Sequence, residues 1–308
     1  MKILIYGTGG VGGYFGGKLA QAGNDVTFIA RGEHLNAMKR QGLKVLSPKG
    51  DFTVSNPKAT DDVSGLEAMD LILLGVKSFQ VKEAVSAIKN LIKSETIIIP
   101  LQNGVFANEE IMEIVGKTNL VGGLCKIISR IESPGVINHM MYEPSIAIGE
   151  LDHEVSDRAA RIQSLFQQSG IQLTVTDNIQ AALWKKFMFI CTGGLGALTR
   201  FPYGVNREMT GTRDLLLALI AEIYTVGKQL GIALQDHDKD NAMKIVDSLP
   251  HEATSSMQRD IIEGRPSELE YLTGAVVKLG KTNGVDTPVN SFIYHCLLPA
   301  EHKNRGIL

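Results

Sequence analysis

The amino-acid sequence predicts an α/β chain: a doubly wound, mostly parallel sheet with an antiparallel extension, followed by an all-helical domain. Three observations predict this class. From Lys2 to about Asp177, short continuously apolar runs alternate with helical stripes, as in parallel strands covered on both faces. After about Asn178 the strand runs stop and long helical patterns replace them. Glycine supplies 32 of 308 residues, about a tenth against a usual ~7%. Eight of these, Gly7, Gly9, Gly10, Gly12, Gly13, Gly16, Gly17 and Gly23, crowd into the first turn and helix.

Strands are expected at 2–6, 26–30, 71–76, 96–100 and 119–123. Between them, Val11, Phe15, Leu19 and Ala22, and later Val81, Val85, Ile88 and Ile92, recur at helical spacing and give each helix one apolar stripe for the sheet. Segments near 136–140, 145–149 and 171–176 read as shorter strands without intervening helices, the pattern of an antiparallel extension. Helices are expected near 179–199, 206–231, 237–248, 253–263, 267–283 and 288–302. Gly231, Gly264, Gly280 and Gly284 stand at or just past their ends, where a left-handed residue commonly terminates the turn. The expected domains are therefore 1–177 and 178–308, closely packed because no flexible linker separates them, with the crevice between them the natural place for a ligand.

Composition narrows the function. A formal net charge of -2 gives no general attraction to phosphate backbones or anionic membranes, so nucleic acid is not an expected partner. Cys125, Cys191 and Cys296 stand far apart with no Cys-x-x-Cys, which points to neither a disulfide framework nor a zinc site and suits a reducing cytoplasm. The apolar run within Met1–Tyr6 is too short for a signal peptide, and no stretch reaches the ~18 apolar residues of a membrane span. A soluble cytoplasmic protein is expected. Apolar-rich segments such as Leu215–Ala221 suit either the helical core or a homodimer interface.

Gly7-Thr8-Gly9-Gly10-Val11-Gly12 fits G-x-G-x-x-G directly after a strand and at the start of a helix, the context that gives this motif its meaning. The first glycine permits the tight turn, the second lets backbone approach a pyrophosphate, and the third lets helix and strand pack closely while the helix amino end faces the phosphates. This makes the N-terminal domain Rossmann-type. The second strand ends at Arg31, where NAD-binding folds usually place a carboxylate for the ribose hydroxyls. A guanidinium instead suits a 2′-phosphate, so NADP/NADPH is the expected cofactor. Glu33 is the alternative ribose partner, and a solvated loop arginine the plain alternative for Arg31.

Ligands in such sheets sit beyond the carboxyl ends of the strands. Two of those ends carry polar groups, Lys77-Ser78-Phe79-Gln80 and Leu101-Gln102-Asn103-Gly104. Lys77, Gln80 and Asn103 could bind cofactor or substrate oxygens, or serve only as loop residues and caps, with Ser78 a candidate N-cap.

These residues resemble the 2-dehydropantoate 2-reductase (ketopantoate reductase) family over essentially the whole chain. The resemblance rests on Gly7–Gly12, Arg31, Val76-Lys77-Ser78-Phe79-Gln80 and Gln102-Asn103-Gly104. It continues in Leu183-Trp184-Lys185-Lys186, Ser255-Ser256-Met257-Gln258-Arg259-Asp260 and Ser267-Glu268-Leu269-Glu270-Tyr271. It implies an NADPH-dependent oxidoreductase of pantothenate biosynthesis that reduces a small 2-keto acid. It also implies Lys186 as catalytic lysine, Glu268 as essential glutamate, Lys77, Gln80 and Asn103 near the nicotinamide, and Ser256 on the substrate. Hydride delivery to a keto carbon builds negative charge on the carbonyl oxygen, which a positioned ammonium stabilises and protonates, so no metal is required. Without the resemblance, Lys185-Lys186 reads as a solvated face, Trp184 as a core anchor, the serines as helix-bonded, and Glu268 with Glu270 as helix-start acids.

The chain departs from the family pattern at Ile190, Gly194-Leu195-Gly196-Ala197, Tyr203 and Ala253, where amides are expected. Each lost hydrogen bond to a charged group is worth ~1.5–3 kcal/mol. Arg259, on the same helical face as Ser256, is a candidate replacement for binding a carboxylate, or else a surface arginine. Two alternatives follow: a paralogous reductase of another 2-keto acid or ketone, and a non-catalytic NADPH-binding protein.

Overall fold

In the computed structural model, which describes residues 1–308 with the side chain of Tyr142 excepted, the elements follow in the order β1 (Lys2–Tyr6), α1 (Gly10–Gln21), β2 (Asp25–Ile29), α2 (Gly32–Gln41), β3 (Leu43–Leu46), β4 (Phe52–Val54), β5 (Lys58–Thr60), β6 (Leu71–Leu74), α3 (Val81–Ala87), β7 (Ile97–Pro100), α4 (Ala107–Val115), β8 (Gly122–Ser133), β9 (Val136–Gly149), α5 (Asp157–Gln168) and β10 (Gln172–Val175). Helices alone then follow: α6 (Ile179–Cys191), α7 (Gly193–Thr199), α8 (Tyr203–Glu208), α9 (Thr210–Gln229), α10 (His237–Ser248), α11 (Ser256–Ile262), α12 (Thr273–Thr282) and α13 (Pro288–Asn304). Two compact units result. One comprises Met1–Gln102 with Phe106–Ile179; the other comprises Gln180–Leu308 with the short segment Asn103–Val105.

In the first unit the continuously apolar strands pair in parallel in the order β5-β2-β1-β6-β7. Ile3, Leu4, Ile5, Leu71, Ile72 and Leu74 are fully buried, as strands covered on both faces require. The chain winds outward from β1 in one direction and then crosses to β6 on its other side, so the switch point lies between the ends of β1 and β6.

The expected antiparallel extension is a second, mixed sheet in the order β10-β9-β3-β4, with β8 pairing antiparallel to β9. The segments expected as separate strands near 136–140 and 145–149 are the single strand β9. The sequence break is Pro144, which lies where the β8 register shifts, with Ile128 paired to Met141 and Lys126 to Ser145. An irregularity of this kind tolerates a residue without a ladder donor.

The glycines of α1 explain how this helix fits between the two sheets. A Cβ on Gly16 would stand 2.6 Å from Ile5 Cγ1, one on Gly13 2.6 Å from Ile137 Cγ1, and one on Gly17 3.0 Å from a Phe52 ring carbon. Backbone approach on both faces leaves no room for side chains.

In the helical unit, Leu216, Leu219 and Ile220 are buried while Leu215 and Leu217 are exposed, so Leu215–Ala221 contributes one face to the core of its own unit. Trp184 is buried edge-on to Phe187, and a Cβ on Gly227 would press on its ring. It is a core anchor. Gly231, Gly264 and Gly284 adopt the left-handed conformation expected past helix ends. Gly280 does not: it lies inside α12, where a Cβ would stand 2.7 Å from the Val285 carbonyl, so close approach requires it. Among the described residues, no helix is long and apolar enough to cross a membrane, and no cluster of potential metal ligands occurs.

Candidate active site

The turn after β1 sorts the motif glycines by cause. Gly7 has φ +100°, and a Cβ there would stand 2.7 Å from the Val76 amide nitrogen. A Cβ on Gly12 would lie 2.2 Å from the Gly7 carbonyl oxygen, and one on Gly10 2.5 Å from that of Ser129. These positions are dictated by the fold itself. Gly9 is different: its backbone is extended (φ −85°, ψ −157°), and a Cβ would meet no heavy atom within 4 Å. No protein atom demands glycine there, and the backbone lies open to approach by an outside group.

The start of α1 also has no side-chain cap and no acidic residue in its first turn, which leaves the positive helix end to an external anion. A dinucleotide pyrophosphate fits both features. Thr8 is turned inward, its hydroxyl and amide both donating to the Ile29 carbonyl (2.9 and 3.0 Å), which ties the turn to the end of β2. Val11 packs as a half-buried stripe residue.

Arg31 stands at the N-cap of α2 with its guanidinium 64% exposed, 3.5 Å from the equally exposed Glu83 carboxylate. Such a pair is worth little in water and exchanges readily for a phosphate. Glu33 accepts from the Asn36 amide (3.2 Å) within the first turn of α2, which commits it to its own helix. Farther along, the Gln80 amide oxygen accepts from the Lys77 backbone N–H (3.2 Å) and closes the local turn. Ser78, itself buried, begins the 3₁₀ turn Ser78–Gln80, and Lys77 is half-buried. Gln102 is buried; its amide donates to the Leu74 and Val76 carbonyls (2.9 and 3.1 Å) and ties the segment after β6 to the end of β7.

The polar groups of the helical unit form a second cluster. Glu268 is only 4% exposed and directly precedes the 3₁₀ turn Leu269–Tyr271. The Asn103 amide points at its Oε2 at 3.4 Å. Gly104 makes this approach accessible: it has φ +96°, and a Cβ there would stand 2.9 Å from the Tyr271 carbonyl. Sequence order places Asn103 at a strand end, whereas its contacts place it with Glu268.

The lysine pair divides. Lys185 is exposed and meets the buried carboxylate of Asp238 at 3.3 Å, while Lys186 faces another side of α6 and is half-buried. The serines divide as well. Ser255 caps α11 by accepting from the Gln258 N–H (3.0 Å), and the half-buried Ser256 hydroxyl has no protein partner among the described residues.

Among the departures from the family pattern, Tyr203, Gly194 and Gly196 acquire causes. Ile190 lies one turn after Lys186 and is half-buried. Tyr203 is buried, stacked on Phe189 at 6.3 Å, and its hydroxyl accepts from Thr192 at 3.4 Å. Gly194 and Gly196 are buried: a Cβ would stand 2.9 Å from Thr273 Oγ1 in the first case and 2.7 Å from Gln258 Oε1 in the second. Close helix packing fills the space that amide side chains would need, so these two glycines are demanded by packing. Arg259 is half-buried, with Nη1 donating to the Thr254 carbonyl and hydroxyl (2.7 and 3.1 Å), and so is partly committed to its own helix start.

Glu301 belongs to no motif of the sequence, yet it is fully buried and bonded to Ser267 beside Glu268. Only its spacing of four from Arg305 hinted at a pair.

Comparison with known proteins identifies the family. The family model described as "Ketopantoate reductase PanE/ApbA" matches residues 3–153, and its C-terminal counterpart matches residues 178–301. The chain is 30% identical over 310 residues to the 2-dehydropantoate 2-reductase of Nostoc sp., covering 99% of this chain and 96% of the relative. It is 29% identical over 295 residues to the uncharacterized oxidoreductase YkpB of Bacillus subtilis, covering 96% and 97%. The crystal structure of 2-dehydropantoate 2-reductase from Geobacter metallireducens superimposes with a TM-score of 0.91 at 29% identity, covering 97% of this chain and all of that one. The resemblance carried by the glycine turn, Lys186 and Glu268 thus extends over the whole molecule, and the chain belongs to the ketopantoate reductase family.

Proposed function

We propose that this oxidoreductase reduces 2-dehydropantoate (ketopantoate) to pantoate with NADPH, as a cytoplasmic step of pantothenate biosynthesis. The observation that carries the reading is the buried Glu268 carboxylate met by the Asn103 amide at 3.4 Å, on the unit that also carries half-buried Lys186. When bound, NADPH supplies a hydride to the carbonyl carbon of the keto acid. The Lys186 ammonium stabilises the negative charge developing on the carbonyl oxygen and gives that oxygen a proton. Glu268 holds the lysine or a substrate hydroxyl in place, and the half-buried Ser256 hydroxyl contacts the substrate. Lys77 and Asn103 bind cofactor or substrate oxygens. Gly9 and the uncapped start of α1 receive the pyrophosphate, with Gly7, Thr8, Gly10, Val11 and Gly12 shaping the turn.

Arg31 supports NADPH over NADH, because its exposed pair with Glu83 is readily exchanged for a 2′-phosphate. Arg31→Ala is expected to weaken NADPH binding about 10- to 100-fold, the value of hydrogen bonds to a charged group, with NADH binding little changed. Titration of both cofactors checks this, and equal effects on the two would remove the assignment.

A second reading, reduction of a 2-keto acid with an apolar substituent, is favoured by Ile190 one turn from Lys186 and by the buried, stacked Tyr203. NADPH oxidation followed against ketopantoate and a series of aliphatic and aromatic 2-keto acids separates the two. Highest kcat/KM on ketopantoate supports the first reading. A preference of tenfold or more for an apolar keto acid supports the second, and cofactor binding without turnover on any of them would leave a non-catalytic NADPH-binding protein.

A further inference from the structure

The C-terminal helix α13 carries a buried ionic group for which catalysis by Lys186 and Glu268 does not account. Glu301 is fully buried in its last turn. Its carboxylate accepts from the Ser267 N–H (3.0 and 3.2 Å), from the Ser267 hydroxyl (2.5 Å) and from Arg305 Nε (2.6 Å). Arg305 Nη2 in turn donates to the Ser267 carbonyl (2.7 Å). Every polar group of Ser267 is thereby engaged, and its hydroxyl also accepts from the Leu269 N–H (3.2 Å). The residue enclosed between these two bonded neighbours is Glu268.

The far end of the same turn is held from the same helix. Tyr294, two helical turns before Glu301 and on the same face, donates to both oxygens of Glu270 (2.8 and 2.9 Å). Burial, with the Glu270 carboxylate beside it, pushes the tyrosine up to about 12, so it remains a donor at any working pH. The Glu268 carbonyl accepts from the Tyr271 and Leu272 amides, both at 3.0 Å, which closes the turn from within.

A buried ion pair is a poor way to gain stability, because desolvation offsets most of its attraction, and an apolar group of equal size commonly serves as well. What the charges provide here is geometry. Glu301 with Arg305 fixes three atoms of one backbone residue at once, which no apolar side chain can do.

We propose that Glu301, neutralised by Arg305, is a positioning residue: it clamps Ser267 so that the Glu268 carboxylate is held against Asn103 in one orientation. This rests on the reading of Glu268 as an essential group in keto-acid reduction. Glu301 touches neither substrate nor reacting atoms in this role, and its effect passes entirely through Glu268.

The test uses the full chain carrying Glu301→Gln, Glu268→Gln, or both. Amide hydrogen exchange, read without cofactor or substrate, should be at least tenfold faster across Ser267–Leu272 in Glu301→Gln, with α9 amides unchanged. With the best keto acid, kcat should fall about tenfold with KM near that of the parent. In the Glu268→Gln background the same change should add little, because the group it positions is already gone. Unaltered exchange in the turn, or kcat losses that multiply in the double variant, would overturn the proposal. If Glu301→Gln fails to fold, Arg305→Lys, which keeps the charge but loses the fork to Ser267, is read in the same way. Absence of turnover in the parent would refute the proposed function, and hydrogen exchange would then decide the clamp on its own.

Discussion

Lys186→Ala is expected to lower kcat for 2-keto acid reduction by about a thousandfold, with NADPH binding and thermal stability near those of the parent. The magnitude is that of a positioned general acid, ~10²–10⁴, together with loss of charge stabilisation at the developing alkoxide. Little structural cost accompanies it. Lys186 is half-buried on α6, whereas Trp184, Phe187 and Met188 supply the buried anchors of that helix. The adjacent lysine is an internal control: Lys185 is exposed and reaches Asp238, so Lys185→Ala should leave turnover within about threefold, as surface substitutions usually do. Steady-state kinetics of both variants, with NADPH affinity measured separately, check the prediction. Turnover of Lys186→Ala within tenfold of the parent, or equal losses in both variants, would remove Lys186 from the catalytic role.

What could be read from the sequence followed from local chemistry, and what could not depended on distant partners. Continuous apolar runs announced β1, β6 and β7 because burial on both faces leaves a one-dimensional record. The strands β3, β4 and β5 span only three or four residues each and keep polar side chains, so their identity comes from the strands they pair with. Pro144 read as a strand end because the irregularity that accommodates it, three β9 residues set against one of β8, exists only in the pairing of the two strands. The same contrast runs through the candidate site. Gly7 and Gly12 were legible from a short spacing that only one turn geometry explains. The approach of Asn103 to Glu268 bridges 165 positions, and Glu301 reads as an ordinary charge in an exposed-looking helix end until Ser267 is brought to it. Gly194 and Gly196 were visible as departures, but their cause, the backbone's approach to Thr273 and Gln258, exists only in the packed helices.

Alanine at Gly9 and at Gly12 should produce opposite failures, although the two glycines belong to one motif. At Gly12 a Cβ would lie 2.2 Å from the Gly7 carbonyl oxygen, with Ile5 Cγ2 a further 2.9 Å contact. Both neighbours are held: Gly7 by a left-handed turn against Val76, and Ile5 by full burial in β1. Relief therefore requires α1 to move off the sheet, and α1 is wedged from its other side by Ile137 and Phe52. Overpacking of a fixed core costs ~1–3 kcal/mol and more where backbone must shift, so Gly12→Ala is expected to lose about 3 kcal/mol or more and to be poorly folded. Gly9 has an extended backbone that alanine adopts readily and open space where the methyl would stand. Gly9→Ala should melt within a few degrees of the parent yet bind NADPH at least about tenfold more weakly, because its methyl occupies the approach to the pyrophosphate. Thermal denaturation and NADPH titration on both variants distinguish the outcomes. Undiminished cofactor affinity in a well-folded Gly9→Ala would show that the turn is built for tight packing alone, and would remove the pyrophosphate from the start of α1.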